Sequence, residues 1–350
     1  MALTSKDISS PQAAAKSAKI EDVAREAGVS IMTVSRAMRG VEGVSRARRR
    51  EILHIAKRLG YQPNSLAGSL AAANSTLIGV SVPTLFEAVF AEIFFGMRST
   101  FMKAGFQTVI DTSEYQEDTE ENWIDRMVSW RPAGIILTGV HHSEGTRERL
   151  RGSGLPILEI WDYSDDPIDL CIGVDHVQAG YDMGRHLVEQ GYRRPAYVGV
   201  VTGRDLRAEA RVRGLARAFE EIGSRVWPQI CVANTASFEF GHLGTRQALD
   251  LADERPDVIY YLNDHMAFGG LTECERQGLR VPRDIGIVGF NGLNIITVLP
   301  KRLTTSITPR HQMGAKGAQM IVAKIFGAKT DRAVSLPVEL SPGQTTRRVG

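Results

Sequence analysis

Cysteine is scarce. Cys171, Cys231 and Cys274 lie far apart and form no CxxC pair. That speaks against a disulfide framework or a structural zinc site, and for a reduced, intracellular protein. Long apolar runs are also missing. None reaches about 18 residues, so no membrane-spanning helix is expected. The opening stretch, MALTSKDISSPQAAAKSAK, lacks the apolar segment of a secretory signal. It reads as a polar, disordered tail over 1–18. GxGxxG, P-loop, GxSxG and HExxH motifs are absent. Their absence argues against an enzyme and against a nucleotide cofactor, and no cofactor or metal is expected.

What is present is an ordinary globular mix, 43% apolar and 23% charged, over 350 residues. That length suits more than one domain. Net charge is only +2, yet it is unevenly placed. Residues 1–74 carry 12 Lys/Arg against 6 Asp/Glu, and the remainder 30 against 34. A small basic head on a mildly acidic body suits contact with a polyanion, and a solvated basic surface is the plain alternative.

The head reads as short helices. IEDVAREAG places Ile20, Val23, Ala24 and Ala27 on one face and ends at Gly28. Ser30 caps a second helix through about Met38, from which Val34, Ala37 and Met38 can pack inward. Ser45 caps a third, RARRREILHIAKRLG, with Ile52, Ile55, Ala56 and Leu59 as its apolar stripe. Helix, Gly-containing tight turn, helix and supporting helix form a helix-turn-helix pattern. Pro63 breaks the third helix. YQPNSLAGSLAAANS then reads as a linker that is helical only in context, with Leu66, Ala67 and Leu70 as its apolar positions.

From residue 77 apolar strands alternate with amphipathic helices. The strands are expected at 77–82, 107–112, 134–139, 156–161, 171–175, 196–201, 256–262 and 285–290. Continuous apolar strands predict parallel sheets covered on both faces. A stretch this long would more naturally form two sheets than one. The fold class is therefore α/β, with ligands expected beyond the carboxyl ends of the strands.

These residues resemble a known family. IEDVAREAGVSIMTVSRAMRG…VSRARRREILHIAKRLGYQPNSLAGSL looks like the DNA-binding head and hinge of the LacI-GalR family. IGVSVP, GIILTG, GVDHVQAGYDMGRHLVEQGYRRPAYVG, RVRGLARAF, NDHMAFGGLTECERQGLRVPRDIGIVGFN and LTTSITPR resemble its body. FAEIFFGMRSTFMKAGFQTVI, MVSWRPAGIILTG, ILEIWD and LSPG are similar to the gluconate-operon repressor branch. The resemblance implies a cytoplasmic, nucleoid-associated transcriptional repressor. Its head would occupy 19–62 and its hinge helix and linker 63–75. A two-lobed, periplasmic-binding-protein-like core would fill 76–350, one lobe about 76–174 plus 306–336, the other about 175–305 plus 337–350. It also implies a homodimer on a pseudo-palindromic operator. SPGQTTRRVG carries no leucine heptad of the tetrameric relatives.

The resemblance places the N-terminal part of the second helix in the major groove. Ser30, Thr33 and Ser35 would donate to phosphates or base edges, although Thr33 and Ser35 also suit exposed helix filler. Arg36 can make a bidentate contact to guanine, worth about 1–3 kcal/mol of discrimination, and Arg39 is near enough for phosphate or bases. Ile31 and Met32 stand at the family's specificity positions. They would pack on thymine methyl groups, or serve as core. Lys19, Ser45, Arg48, Tyr61, Asn64 and Ala67 match the part of the head and hinge that meets DNA, chiefly its backbone. Of Arg48, Arg49 and Arg50, helical spacing lets only one or two face DNA. Leu70 matches the hinge leucine that wedges into the minor groove. Gly68 would weaken that helix by roughly 1 kcal/mol against alanine.

In the core, Arg211 in RVRG matches the family's ligand-clamping arginine, whose fork suits a carboxylate or a hydroxyl pair. Asn263, Asp264 and Asn291 follow strands. For Asp264 a helix N-cap is an equal reading. An uncharged amide at position 291 suits an anionic ligand, such as the sugar acid gluconate. Phe90, Thr138, Glu159, Trp161 and Ala236 lie where a strand-end pocket would have walls. Glu159 fits a carboxylate ligand poorly unless it takes hydroxyls at the far end. His141 and His142 read as polar loop residues near the cleft. Other readings keep the regulator and change the ligand to a neutral sugar, nucleoside or keto-acid. A transport solute-binding protein is opposed by the head, and a sugar-processing enzyme by the lack of a catalytic constellation.

Overall fold

The computed structural model describes residues 18–348 apart from 63–74, 87, 201–202, 204, 234–235 and 252–254. The readings for the tail, and for Asn64, Ala67, Gly68 and Leu70 in the hinge, lie outside the described residues. The chain forms two compact units, Met1–Ser75 and Thr76–Gly350.

In the first unit, α1 (Ile20–Ala27) stops at Gly28, whose φ of 61° suits a residue without a Cβ. Ser30 Oγ accepts the amide of Thr33 at 3.2 Å and opens α2 (Ile31–Arg39). Ser45 Oγ accepts the amide of Arg48 at 3.2 Å and opens α3 (Arg46–Arg58). Val23, Ala24, Ala27, Val34, Ala37, Ile52, Ile55 and Ala56 meet as the core, with Met38 and Leu59 half-buried against it.

The second unit holds two six-stranded sheets. The first contains β1 (Leu77–Val82), β2 (Gln107–Thr112), β3 (Gly134–Thr138), β4 (Ile157–Asp162), β5 (Leu170–Val174) and β11 (Ala333–Ser335). They run in the order β11-β5-β4-β3-β1-β2, all parallel. The second contains β6 (Pro195–Val200), β7 (Gln229–Ala233), β8 (Val258–Tyr261), β9 (Gly286–Asn291), β10 (Thr304–Ile307) and β12 (Glu339–Ser341). Its order is β12-β10-β9-β8-β6-β7, parallel except for β12 against β10.

Helices cover the sheets: α4 (Ala88–Ala104), α5 (Glu117–Ser129), α6 (Glu144–Ser153), α7 (His176–Glu189), α8 (Leu206–Glu220), α9 (Phe238–Leu251), α10 (Asp264–Arg276) and α11 (Arg310–Ile325). Three helix pairs touch backbone to backbone through glycines. They are Gly96 with Gly314 for α4 and α11, Gly180 with Gly214 for α7 and α8, and Gly241 with Gly269 for α9 and α10. The chain passes between the lobes after β5, after β10 and after β11. Four strands, β7, β10, β11 and β12, were not expected from the sequence. β10 runs to Ile307 in the second sheet, so the return to the first lobe follows that residue, not 305.

Candidate functional site

Val34 and Ala37 fill the inner side of α2, so neighbouring positions are turned outward. Ile31 is 47% and Met32 63% exposed, which places both on the outer face rather than in the core. Arg36 is exposed beside them, and Ser35 is half-buried. Thr33 is half-buried, its hydroxyl 2.9 Å from that of Ser30. Arg39 closes α2, but its side chain lies outside the described residues. Lys19, Ser30 and Ser45 are exposed. Tyr61 packs half-buried against the core.

The basic run of α3 divides as helical spacing requires. Arg48 donates to the Ala27 carbonyl at 2.8 Å and pairs with Glu51 at 2.8 Å. Arg49 donates to the Ala37 carbonyl at 3.0 Å. Both guanidiniums therefore sit at carboxyl ends of neighbouring helices, where the helix dipole favours a cation. Arg50 is exposed.

In the second unit the strand ends of both lobes converge on a cleft with two chambers. The inner one, about 20 Å³, is lined by Phe90, Tyr115 and Trp161 from the first lobe and by Asp205, Arg207, Arg211, Asn263 and Asn291 from the second. The outer one, about 120 Å³, is lined by Thr138, His141, Glu117, Glu120, Asp162 and Arg207 among others. Arg207 and Tyr115 border both, the guanidinium 5.7 Å from the Tyr115 ring centre.

Aromatic packing fixes the walls. Phe90 meets Trp161 edge-on with centroids 6.2 Å apart, and His176 lies between Trp161 and Phe290 at 5.7 and 6.0 Å. The Arg211 guanidinium is 4.0 Å above the Phe290 ring. It donates to the Leu262 carbonyl at 3.1 Å and to His176 Nδ1 at 3.3 Å. A guanidinium only donates, so His176 Nδ1 accepts and the ring proton of the neutral form sits on Nε2. Burial holds the His176 pKa below its ordinary value despite Asp162.

Trp161 and Asn291, at the ends of β4 and β9, have φ of 82° and 98°. Such conformations in residues with a Cβ persist only where the surroundings enforce them, and they gather at binding sites. At Asn291 the enforcing group is Arg310, which donates to the Asn291 carbonyl, to Thr308 Oγ1 at 2.8 Å and to the Gly292 carbonyl at 3.1 Å, and pairs with Glu92 at 2.7 Å. Asn291 Oδ1 is buried without a hydrogen-bond partner among the described residues.

Charged groups in the cleft are tightly coupled. Burial pushes the Asp162 and Asp205 carboxyls up, but Arg207 leads the charges that outweigh it and hold both below the usual range. Burial opposes the charge on Arg207, yet Asp162 and Asp205 hold its pKa above normal. Asp205 also caps α8, accepting the amides of Arg207 and Ala208 at 3.1 and 3.3 Å.

Of the core residues expected at a pocket, Phe90, Trp161, Arg211, Asn263 and Asn291 come together in the inner chamber and Thr138 borders the outer one, as does the loop residue His141. Three do not. Glu159 is fully buried on the other face of the first sheet, accepting the Ile168 amide at 2.6 Å, with His142 and Arg147 at 3.6 and 3.8 Å. Its place as a pocket wall is corrected on that ground. Asp264 is buried behind the cleft, accepting from Thr305 Oγ1 at 2.6 Å and from the Leu293 amide at 2.5 Å. The N-cap of α10 is Asn263, which accepts the Met266 amide at 3.0 Å. Ala236 packs half-buried against the second-lobe core. His142 is buried too, 2.7 Å from Glu120. Sequence reasoning missed Tyr115, Asp162, His176, Asp205 and Arg207. The available signals were Asp162 directly after a strand and Arg207 one helical turn before Arg211.

Comparison with known proteins agrees with this architecture. Residues 19–64 match the model for bacterial regulatory proteins of the lacI family, and residues 75–341 that for periplasmic binding proteins and the sugar binding domain of the LacI family. The HTH-type transcriptional regulator GntR of Escherichia coli (strain K12) is 35% identical over 93% of this chain and 97% of its own. IdnR of the same strain is 32% identical over 87% of this chain and 91% of its own. A crystal structure of a LacI family transcriptional regulator from Silicibacter pomeroyi superposes with a TM-score of 0.88 at 33% identity, covering 95% of this chain and all of that one.

Proposed function

The chain belongs to the LacI family and is a DNA-binding transcriptional regulator, and on that premise we propose that it is a homodimeric repressor whose hold on its operator is set by a small sugar acid bound between the core lobes. The observation that carries the ligand class is Arg211. It is 4% exposed, and no described carboxylate forms an ion pair with it. Its close partners are neutral, the Leu262 carbonyl, His176 and the Phe290 ring, and an anionic ligand would add a charged one. Asn291 and Asn263 add uncharged polar groups to the same chamber, which suits hydroxyls beside a carboxylate. Gluconate is the specific candidate.

In the head, Arg36, Ile31 and Met32 would read bases from the exposed face of α2, with Ser30, Thr33 and Ser35 beside them. Lys19, Ser45, Tyr61 and Asn64 would serve the phosphate backbone, Arg39 phosphate or bases, and Leu70 of the hinge, with Ala67 beside it, would wedge into the minor groove. Arg48 would act mainly by bracing α1. Ligand would shift the two lobes of each core and thereby the hinge. It can do so only through different affinities for the two lobe arrangements.

A neutral sugar is the second reading, favoured by the carboxylates of Asp162 and Asp205 as hydroxyl acceptors. Calorimetric titration with gluconate, other sugar acids and neutral sugars decides between them. Heat with a neutral sugar and none with any acid would sink the sugar-acid reading. Operator affinity should fall steeply with salt, and a flat response would count against backbone contact by the head.

A further inference from the structure

The inner chamber is too small for the ligand proposed for it. About 20 Å³ holds roughly one water, whereas a six-carbon acid needs several times that. Charge is drawn across the cleft where the inner chamber meets the outer one, at Arg207. Asp162 is carried by the first lobe. Arg207 and His176 belong to the second, and they lie 3.8 and 3.1 Å from the Asp162 carboxylate. Asp162 is 6% exposed, and among the described residues its Oδ1 receives no well-aimed hydrogen bond. Among the described residues its compensation comes from the opposite lobe, from the Arg207 charge and the neutral His176 ring. Arg207 is anchored from behind by Asp205, which accepts its Nε at 3.2 Å. Arg207 itself lines both chambers.

We propose that Asp162 and Arg207 form an internal clasp in which Asp162 holds the guanidinium that the ligand's carboxylate would take. This inference rests on the anionic-ligand reading above. A carboxylate entering between Arg211 and Arg207 would meet Asp162 at like-charge distance, which is strongly unfavourable in a dry cleft. Entry is therefore an exchange. The ligand takes the Arg207 face, Asp162 turns away from it within the outer chamber that it already borders, and the first lobe loses its ionic tie to the second. Arg207 becomes a specificity-determining cation, and Asp162 the built-in competitor that rejects weakly bound anions.

The test is calorimetric titration of the full-length protein with gluconate, using wild type, Asp162→Asn, Arg207→Gln and the double variant, each checked for folding by thermal unfolding. Asp162→Asn keeps the shape and removes the competitor, so gluconate should bind about tenfold tighter. Arg207→Gln should bind about tenfold weaker. In the Arg207→Gln background the gain from Asp162→Asn should vanish, because there is no cation left to free. Asp162→Ser provides a second removal of the charge should the amide misfold. Unchanged or weaker binding by folded Asp162→Asn or Asp162→Ser, or a gain that persists without Arg207, would overturn the clasp and leave the anionic-ligand reading standing. Absence of acid binding by both wild type and the Asp162 variants would overturn the anionic reading and the clasp together.

Discussion

Gly180→Ala tests whether the helix contact beneath Arg211 sets the position of that side chain. A Cβ at Gly180 would lie 1.9 Å from the Arg211 carbonyl oxygen and 2.7 Å from its carbon. The opposing groups are backbone, so no rotamer change relieves the clash. Reaching ordinary 3.4 Å contact requires α7 and α8 to separate by about 1.5 Å. Overpacking of this kind costs about 1–3 kcal/mol, partly offset by the roughly 0.5–1 kcal/mol by which alanine favours a helix interior over glycine. A net loss of about 1–2 kcal/mol is expected.

The residue displaced is Arg211 itself, so its 3.1 Å bond to the Leu262 carbonyl and its seat over Phe290 should both be disturbed. Affinity for gluconate should then fall by about tenfold or more, since a shift near 1 Å ruins aligned polar contacts. Urea unfolding at fixed protein concentration gives the first number and calorimetry the second. Gly152→Ala is the control. A Cβ there meets nothing within 4 Å, so it should stabilise by about 0.5–1 kcal/mol and leave binding alone. If Gly180→Ala matched that control in both assays, the link between the glycine contact and the binding arginine would be refuted.

Three further outcomes follow from named contacts. Replacing Ile31 with Ser and Met32 with Gln should change stability by less than about 0.5 kcal/mol, because both side chains are exposed, while binding-site selection should return a different preferred operator; unfolding of the head would return them to the core. Ser30→Ala removes the acceptor of the Thr33 amide and should cost about 1 kcal/mol in thermal unfolding of the head. Burial pushes the Asp264 carboxyl up to about 7, against about 3.9 in an unfolded chain. The folded protein therefore holds a proton that the unfolded chain releases, and stability should decline as pH rises through that window. In urea titrations at pH 5 and pH 8, Asp264→Asn should lack this component, and an identical pH dependence in both proteins would refute it.

The apolar strands were legible because their burial on both faces leaves mainly apolar runs, as in β1 and β3. β10 was not, because its buried residues are Thr304, Thr305 and Ser306. Thr304 Oγ1 is paired with Thr346 Oγ1 at 2.7 Å and Thr305 Oγ1 with Asp264 at 2.6 Å. Satisfied hydroxyls make a polar strand as buriable as an apolar one, and nothing local in TTSI announces those partners. In the head, the buried positions of α2 were readable from helical spacing. The partners of Arg48 and Arg49 were not, because both are carbonyls at the ends of other helices.

The misplacement of Glu159 has a definite cause in β4. Strand alternation puts Ile157 and Glu159 on one face and Leu158 and Ile160 on the other. The structure keeps that rule: Ile157 packs in the cluster beneath α5 and α6, and Leu158 and Ile160 in the core under α4 and α11. By the same rule Trp161 would join Glu159. Instead its φ of 82° rotates the chain, and its ring joins the α4 side with Phe90. Reading both residues as walls of one pocket assumed that the alternation continued to the strand's last turn. The rotation that breaks it brings Trp161 into the inner chamber and leaves Asp162 bordering the outer one, opposite Arg207 and His176. A left-handed residue with a bulky side chain is invisible to periodicity, since nothing in ILEIWD requires it. It is imposed from outside the strand, and it sets which carboxylate meets Arg207 of the other lobe.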